Sequence, residues 1–329
     1  MLKVCAVVVT WRPDLALLDE ALAALRPQVA AVLVIDNASP ECAEIAARVA
    51  HAGGRFHGMR RNVGLARAQN LGARWAWAAG MDAILLMDQD SVAAPDMVAL
   101  LAAPHLRSAV SADAAQPDAA QPDAPQPDAA DASRSGLALL PGTGAPLVCT
   151  APLPVDARTG MPMRLIRTAA PAGQDDDLVP CAFVIASGML IPRAAWRCIG
   201  PMCDALFIDH VDTEWCLRAR AAGGALAAVP AARLMHRLGT DGRRVWLGRW
   251  RYFPHHSPMR HYYMVRNSLA LRRLPHVRAG MARWLAWRAA LLVLVSLVVL
   301  PERRRRWRAV RAAIADARAG RGGPAPRAW

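Results

Sequence analysis

Between Val4 and Thr10 the chain reads Val-Cys-Ala-Val-Val-Val-Thr, an unbroken apolar run rich in β-branched residues and closed by a hydroxyl. A run without polar alternation predicts a strand covered on both faces. Beyond Pro13, Leu15, Leu18, Leu22 and Leu25 return at helical spacing, and Ala31 to Ile35 repeats the buried-strand pattern before Asp36-Asn37-Ala38-Ser39-Pro40 breaks it. Helical patterns follow at about 41–50 and 65–79. Ala83 to Met87 is a further buried strand, ending in Asp88-Gln89-Asp90. This alternation predicts an α/β fold with a doubly wound sheet, in which ligands gather at the carboxyl ends of the strands. Thr10, Asp36 and Asp88 all stand at such ends.

The rest of the chain is less regular. Residues 108–135 carry the near-repeat Ala-Ala-Gln-Pro-Asp, whose spaced prolines predict a disordered insert. Cys181 to Ile191 is strand-like with a break at Ser187-Gly188, and Asp209 to Ala222 has helical spacing with an acidic first turn. Ala289 to Leu300 is apolar apart from Ser296, but shorter than the roughly 20 residues a bilayer crossing needs. Extending it back to Met281 takes in Arg283 and Arg288. The favoured reading is an interfacial amphipathic anchor, with Trp284, Trp287 and Trp307 near the headgroups and Arg303 to Arg306 on anionic lipid. A spanning helix and a buried helix with a solvated basic tail are the alternatives. These patterns divide the chain at 1–107, 108–135, 136–275 and 276–329.

Composition adds limits. At 329 residues, 54% apolar and 20% charged, the chain has the material for a core and is not disordered as a whole. A net charge of +14 favours an anionic partner, although Lys3 is the single lysine and the arginine–alanine skew weakens that inference. The seven cysteines show no C-x-x-C pair, so they read as buried thiols in a reducing compartment. The N-terminus enters a strand at once, without the ordered regions of a secretory signal, which leads to the expectation of a cytoplasmic protein. No phosphate-binding P-loop, G-x-G-x-x-G, H-E-x-x-H or G-x-S-x-G motif occurs.

Asp88 and Asp90, two positions apart after a buried strand, suit Mg²⁺ or Mn²⁺ shared with substrate phosphates; the alternative is a solvated turn. Val-Val-Thr-Trp at 8–11, Val-Ile-Asp-Asn-Ala-Ser at 34–39, Asn-Val-Gly-Leu-Ala-Arg-Ala-Gln-Asn at 62–70, Leu-Met-Asp-Gln-Asp at 86–90 and Phe-Ile-Asp-His-Val-Asp-Thr-Glu-Trp-Cys-Leu-Arg at 207–218 occur in that order. Together they resemble the inverting family 2 glycosyltransferases, the bacterial rhamnosyltransferases in particular, over roughly 4–275. Val-Asp-Ala-Arg-Thr-Gly at 155–160 is similar to the same subgroup.

The resemblance implies a GT-A-type doubly wound mixed sheet with a C-terminal helical, membrane-associating extension. It implies that Thr10, Trp11 and Asp36 hold the base and ribose of a nucleotide sugar, with the Asn62-x-Gly64 loop supporting the nucleotide. Asp88 and Asp90 would bind a divalent metal, Mn²⁺ or Mg²⁺, and His236 would complete the coordination or touch the diphosphate. Asp212 aligns with the catalytic base, Asp209 being the alternative, while Glu214 and Trp215 would join Asp209 at the acceptor. The implied partners are dTDP-rhamnose and a lipid-linked or polysaccharide acceptor at an anionic membrane surface, with no nucleic acid. Arg260, Tyr262, Tyr263 and Arg266-Asn267 have the polar and aromatic mix of a carbohydrate or diphosphate-lipid site. A nucleotidyltransferase, or a basic nucleic-acid-binding protein, is the competing reading.

Overall fold

β1 (Val4–Thr10) is buried at all seven positions, as its unbroken apolar run requires. The structure, a computed structural model, describes residues 2–113, 137–168, 177–237, 242–246, 250–254 and 256–326. They fall into two units. The first comprises Met1–Asn62, Ala68–Pro201 and Trp215–His236; the second comprises Val63–Arg67, Met202–Glu214 and Arg237–Trp329.

In the first unit, β1 lies between β2 (Ala31–Asp36) and β4 (Ala83–Asp88), parallel to both, and β3 (Arg55–Gly58) adds an exposed edge strand that apolar periodicity could not reveal. The connecting helices are α1 (Leu15–Leu25), α2 (Cys42–His51) and α3 (Leu65–Ala78). Asp14 starts α1 by accepting the Ala16 and Leu17 amides on its side chain. Gly72 of α3 lies against Val7, so close that a β-carbon there would sit 2.3 Å from a Val7 methyl.

After β4 come the two-residue β5 (Val92–Ala93) and α4 (Met97–Asp113). α4 takes in residues 108–113, which the repeat pattern assigned to the insert; 114–135 lie outside the described residues. β6 (Leu147–Asp156), β7 (Ile166–Arg167), β8 (Val179–Phe183), β9 (Met189–Pro192), α5 (Arg193–Ile199) and β10 (Ala225–His236) complete the unit. The sheet order is β3-β2-β1-β4-β9-β6-β10-β8-β7, with β5 pairing to β10. β9 runs antiparallel to β4 and β6 while β10 runs parallel to β6, which makes the sheet mixed, as the resemblance implies. Strands from both expected halves, 1–107 and 136–275, therefore share one sheet and one core.

The second unit holds a hairpin, β11 (Gly242–Trp246) with β12 (Trp250–Pro254), and the helices α6 (Val211–Ala221, which continues into the first unit's residues), α7 (Pro258–Leu271), α8 (Ala279–Val299) and α9 (Arg303–Arg318). Tyr262, Tyr263, Val293, Ala309, Val310 and Ala313 form its core. α8 is longer than the twelve-residue apolar run and absorbs Arg283 and Arg288. One side of it, Ala282, Leu285, Ala289, Val293 and Ser296, is buried, and the other exposes Trp284, Trp287, Leu291, Leu294 and Val298.

Arg306 is fully buried and knits α7, α8 and α9 together: it donates to the carbonyls of Pro301 (2.8 Å) and His256 (2.6 Å) and to His261 Nδ1 (3.1 Å). Because a guanidinium only donates, His261 is neutral and carries its proton on Nε2, which faces Ser296 Oγ at 3.1 Å.

Candidate active site

The register of the parallel strands puts Thr10 opposite Asp36 and Val9 opposite Asp88. Three polar strand ends thus sit side by side at the carboxyl edge of β2, β1 and β4, as the alternation predicts. Asp36, however, turns inward. It is fully buried, Oδ1 accepts from the hydroxyls of Thr10 (2.9 Å) and Ser39 (2.6 Å), and Oδ2 accepts the Ser39 amide (2.8 Å). Thr10 is equally buried, and in this conformation the pair braces the strand ends.

Trp11 is 50% exposed and offers a ring face, over which the Arg12 guanidinium lies 5.2 Å from the centroid. Its backbone N–H donates to Gln89 Oε1 (2.8 Å). Gln89 and Ser39 are site residues that sequence reasoning passed over. The only signal for Gln89 was its place between the two aspartates.

Asp88, Asp90 and His236 come together. One potential ligand atom from each lies within 4.8 Å of the others, and all three residues are half-buried. The cause lies in the backbone. Directly after Asp90 the chain forms β5, whose Val92 and Ala93 pair with Met235 and Leu234 of β10, and His236 is the next residue along. Ser91, buried at the start of this turn, holds its Oγ 2.8 Å from His236 Nδ1. If Nδ1 carries the proton and donates to Ser91, Nε2 keeps its lone pair for an ion. Two carboxylates and an imidazole form a donor set that fits a divalent cation. Behind it, the break at Ser187-Gly188 packs on β4: the Asp88 amide donates to Ser187 Oγ (3.3 Å), and that of Gly188 donates to Leu86 O (2.7 Å). Gly188 has φ +83°, and a β-carbon there would strike Pro152 at 2.4 Å.

The second unit carries the other acids. After a single 3₁₀ turn, Asp204–Leu206, the Ile208 amide bonds back to Leu206 O (2.8 Å) around Phe207, at φ 65° and ψ −65°. This is the rare, strained form of the γ-turn. Asp209 and His210 follow at φ 64° and 63°, a region that costs a non-glycine residue about 1–3 kcal/mol. The Leu65 amide, opening α3, donates to Phe207 O (2.6 Å), and Gly64, at φ +89°, has room only for hydrogen: a β-carbon would lie 2.6 Å from the Phe207 ring. The glycine of the Asn62-x-Gly64 loop thus serves a close approach of two backbones. Asn62 stands half-buried just ahead of α3.

Asp209 Oδ1 accepts from Arg260 at 3.2 and 3.1 Å. Asp212 is half-buried in the first turn of α6, where Oδ1 accepts the Thr213 amide (2.7 Å). Burial pushes the His210 imidazole below its usual pKa, opposed by the negative fields of Asp209 and Asp212. Glu214 and Trp215, expected at the acceptor, are both buried. Glu214 is buried with Oε1 3.0 Å from His276 Nε2, and Trp215, fully buried in the first unit, donates its indole N–H to Gly200 O (2.9 Å). Both lie on the inner side of α6, because a helix that opens on polar residues still has to bury one side. Arg266, Asn267 and Tyr262 are buried too and bond to the protein itself, which corrects their reading as a carbohydrate or diphosphate-lipid site.

Residues 5–139 match the family described as Glycosyl transferase family 2. Over 282 residues the chain is 27% identical to the dTDP-rhamnosyl transferase RfbF of Shigella flexneri, covering 84% of this chain and 81% of that protein. Among solved structures, GalNAc-T7 with UDP, GalNAc and Mn²⁺ superposes with a TM-score of 0.50 at 14% identity, over 88% of this chain. The chain spans 55% of the length of that structure. TarS 1–349 of S. aureus with UDP-GlcNAc gives a TM-score of 0.46 at 11% identity, covering 96% of this chain and 81% of that one.

Proposed function

We propose, from the premise that this chain carries a family 2 glycosyltransferase domain and is a rhamnosyltransferase-like glycosyltransferase, that it moves L-rhamnose from dTDP-rhamnose to a lipid-linked or polysaccharide acceptor. The product belongs to a bacterial cell-surface glycan such as O-antigen. The observation that carries the reading is the meeting of Asp88, Asp90 and His236 at the strand ends of a GT-A-type sheet, with Gln89 between the two aspartates bonded to the backbone of the exposed Trp11. The name of the Shigella relative supports rhamnose as the sugar.

The chemistry is a single displacement. The acceptor oxygen attacks the anomeric carbon, the bond from that carbon to the diphosphate oxygen breaks on the opposite side, and the nucleoside diphosphate leaves with the electron pair. Asp212 takes the proton that the acceptor hydroxyl loses, and the anomeric configuration inverts. Trp11 stacks on the base and its neighbour Gln89 fixes the Trp11 backbone. Asp88, Asp90 and His236 would hold a divalent cation, Mn²⁺ better than Mg²⁺ because one donor is an imidazole. Such an ion supplies positive charge against the diphosphate as it departs.

α8 supports a reading of membrane association. Its inner side is engaged by its own unit, through Ser296 and His261 among others, so it suits an interfacial position better than a crossing, although it is the one helix among the described residues long and apolar enough to span. The outer tryptophans and leucines, with Arg303, Arg304 and Arg305 exposed beyond them, fit an anionic surface at the cytoplasmic face of the cell membrane.

A donor panel with Mn²⁺ tests the function. dTDP-rhamnose is expected to raise the melting temperature more than UDP-GlcNAc, and EDTA to abolish turnover. Asp212→Asn is expected to lose at least about 100-fold in kcat while keeping the donor-induced melting shift, the usual scale for a general base. Undiminished turnover in Asp212→Asn would overturn the base, EDTA-insensitive transfer the ion, and a flat response to dTDP-rhamnose the donor.

A further inference from the structure

The segment Asp204–His210, which leads into the Asp212 turn, has almost no regular structure, yet every backbone carbonyl from Ala205 to Asp209 has a partner. Arg266 donates through Nη2 to Ala205 O (3.0 Å) and Leu206 O (2.8 Å). Asn267 Nδ2 lies within bonding distance of three carbonyls, those of Leu206 (2.9 Å), Ile208 (2.7 Å) and Asp209 (2.8 Å). The Phe207 carbonyl takes the Leu65 amide.

The two side chains also set each other. Arg266 Nε donates to Asn267 Oδ1 (2.9 Å), so the amide nitrogen is the end left to meet the carbonyls, and Arg266 Nη1 reaches Gly323 O (2.5 Å). Both side chains are buried, and Arg266 lies 5.4 and 5.0 Å from the ring centroids of Tyr262 and Tyr263, the latter stacked on Phe207 at 5.1 Å. Asp209 is gripped at its other end by Arg260 of the same helix. Three successive turns of α7 thus hold one short segment.

A backbone with three non-glycine residues at positive φ does not persist on local preference. We propose that Arg266 and Asn267 are positioning residues for transfer: they impose the strained Phe207–His210 path and so fix where the carboxylates of Asp209 and Asp212 stand. The proposal rests on the reading of Asp212 as base. Neither residue touches substrate; they act through the backbone they hold.

The test compares full-length Asn267→Ala with Leu271→Ala, a truncation of a buried residue on the same helix that bonds to none of these carbonyls. The readouts are melting temperature, dTDP-rhamnose affinity by calorimetry, and kcat for Mn²⁺-dependent dTDP-rhamnose hydrolysis at a temperature where both variants are folded. Asn267→Ala is expected to lose at least about 100-fold in kcat with donor affinity within about threefold of the parent, and Leu271→Ala no more than about threefold in either. Arg266→Lys, which keeps the charge but not the fork, should fall between them. Equal kcat losses in Asn267→Ala and Leu271→Ala, or full kcat in Asn267→Ala, would overturn the proposal. Asp212→Asn in parallel separates the two claims. Full turnover there beside a kcat loss in Asn267→Ala removes Asp212 as base and confines the positioning role to Asp209, whereas an inactive Asp212→Asn beside a fully active Asn267→Ala removes only the positioning role.

Discussion

The Ser91 hydroxyl beside His236 Nδ1 leaves Nε2 as the nitrogen that an ion would use. Second partners of this kind commonly change metal affinity about 10- to 100-fold when removed. Ser91→Ala should therefore weaken Mn²⁺ binding about tenfold, as read by calorimetry of the free protein, while His236→Ala should weaken it more and Asp90→Asn most. An unchanged Mn²⁺ affinity in Ser91→Ala would show that the hydroxyl only fills space. At this scale the sequence was partly legible. Asp88 and Asp90 announce themselves by their spacing after a strand, but Ser91 and Gln89 are ordinary turn residues until their partners are known. Asp36 could be read from its strand end, but the hydroxyls of Thr10 and Ser39 that brace it could not, because neither residue type announces such a bond.

Among the elements, the helices of the first unit are held to the sheet with little slack. A methyl added at Gly72 has to displace Val7 in the middle of β1, so Gly72→Ala should cost about 1–3 kcal/mol, seen as a lower denaturation midpoint with an unchanged slope. A midpoint at or above that of the parent would contradict this packing. α4 carries a different liability. His105 is buried with Nε2 3.3 Å from the Thr150 hydroxyl, which itself donates to Leu101 O, and burial pushes the imidazole down to about 4. The unfolded chain takes up a proton near pH 6.5 and the folded one only near 4, so stability falls as pH drops through that window and is unaffected above it. The melting temperature of His105→Leu should lose less between pH 7 and pH 4.5 than the parent's; parallel curves would refute the assignment. The strands that run buried were legible because their apolar runs have no other explanation. β3 and the extension of β10 beyond Val229 were not, since the first is short and largely polar and the second is interrupted by Pro230 and Arg233, and both owe their existence to a neighbour already in place.

For the whole molecule, the net charge of +14 and the exposed side of α8 carry the prediction of association with lipid. Flotation with vesicles containing anionic phospholipid should recover the protein at low salt and lose most of it near 0.5 M NaCl, because screening shortens the reach of the arginines. Trp287→Glu combined with Leu294→Glu should reduce recovery at least about tenfold without lowering dTDP-rhamnose hydrolysis. Equal recovery on neutral vesicles would argue against the charge contribution. The order of the motifs already carries the GT-A architecture, whereas the long separation between Asp90 and His236 hides their meeting, since no local pattern encodes a pairing across that distance. That separation also has a consequence during synthesis. A ribosome that has made the Asp-Gln-Asp turn has made only two thirds of a cage, and the missing third arrives with the last residue of β10. A chain that stalls or is cut before that point lacks His236, one of the three side chains whose ligand atoms meet there.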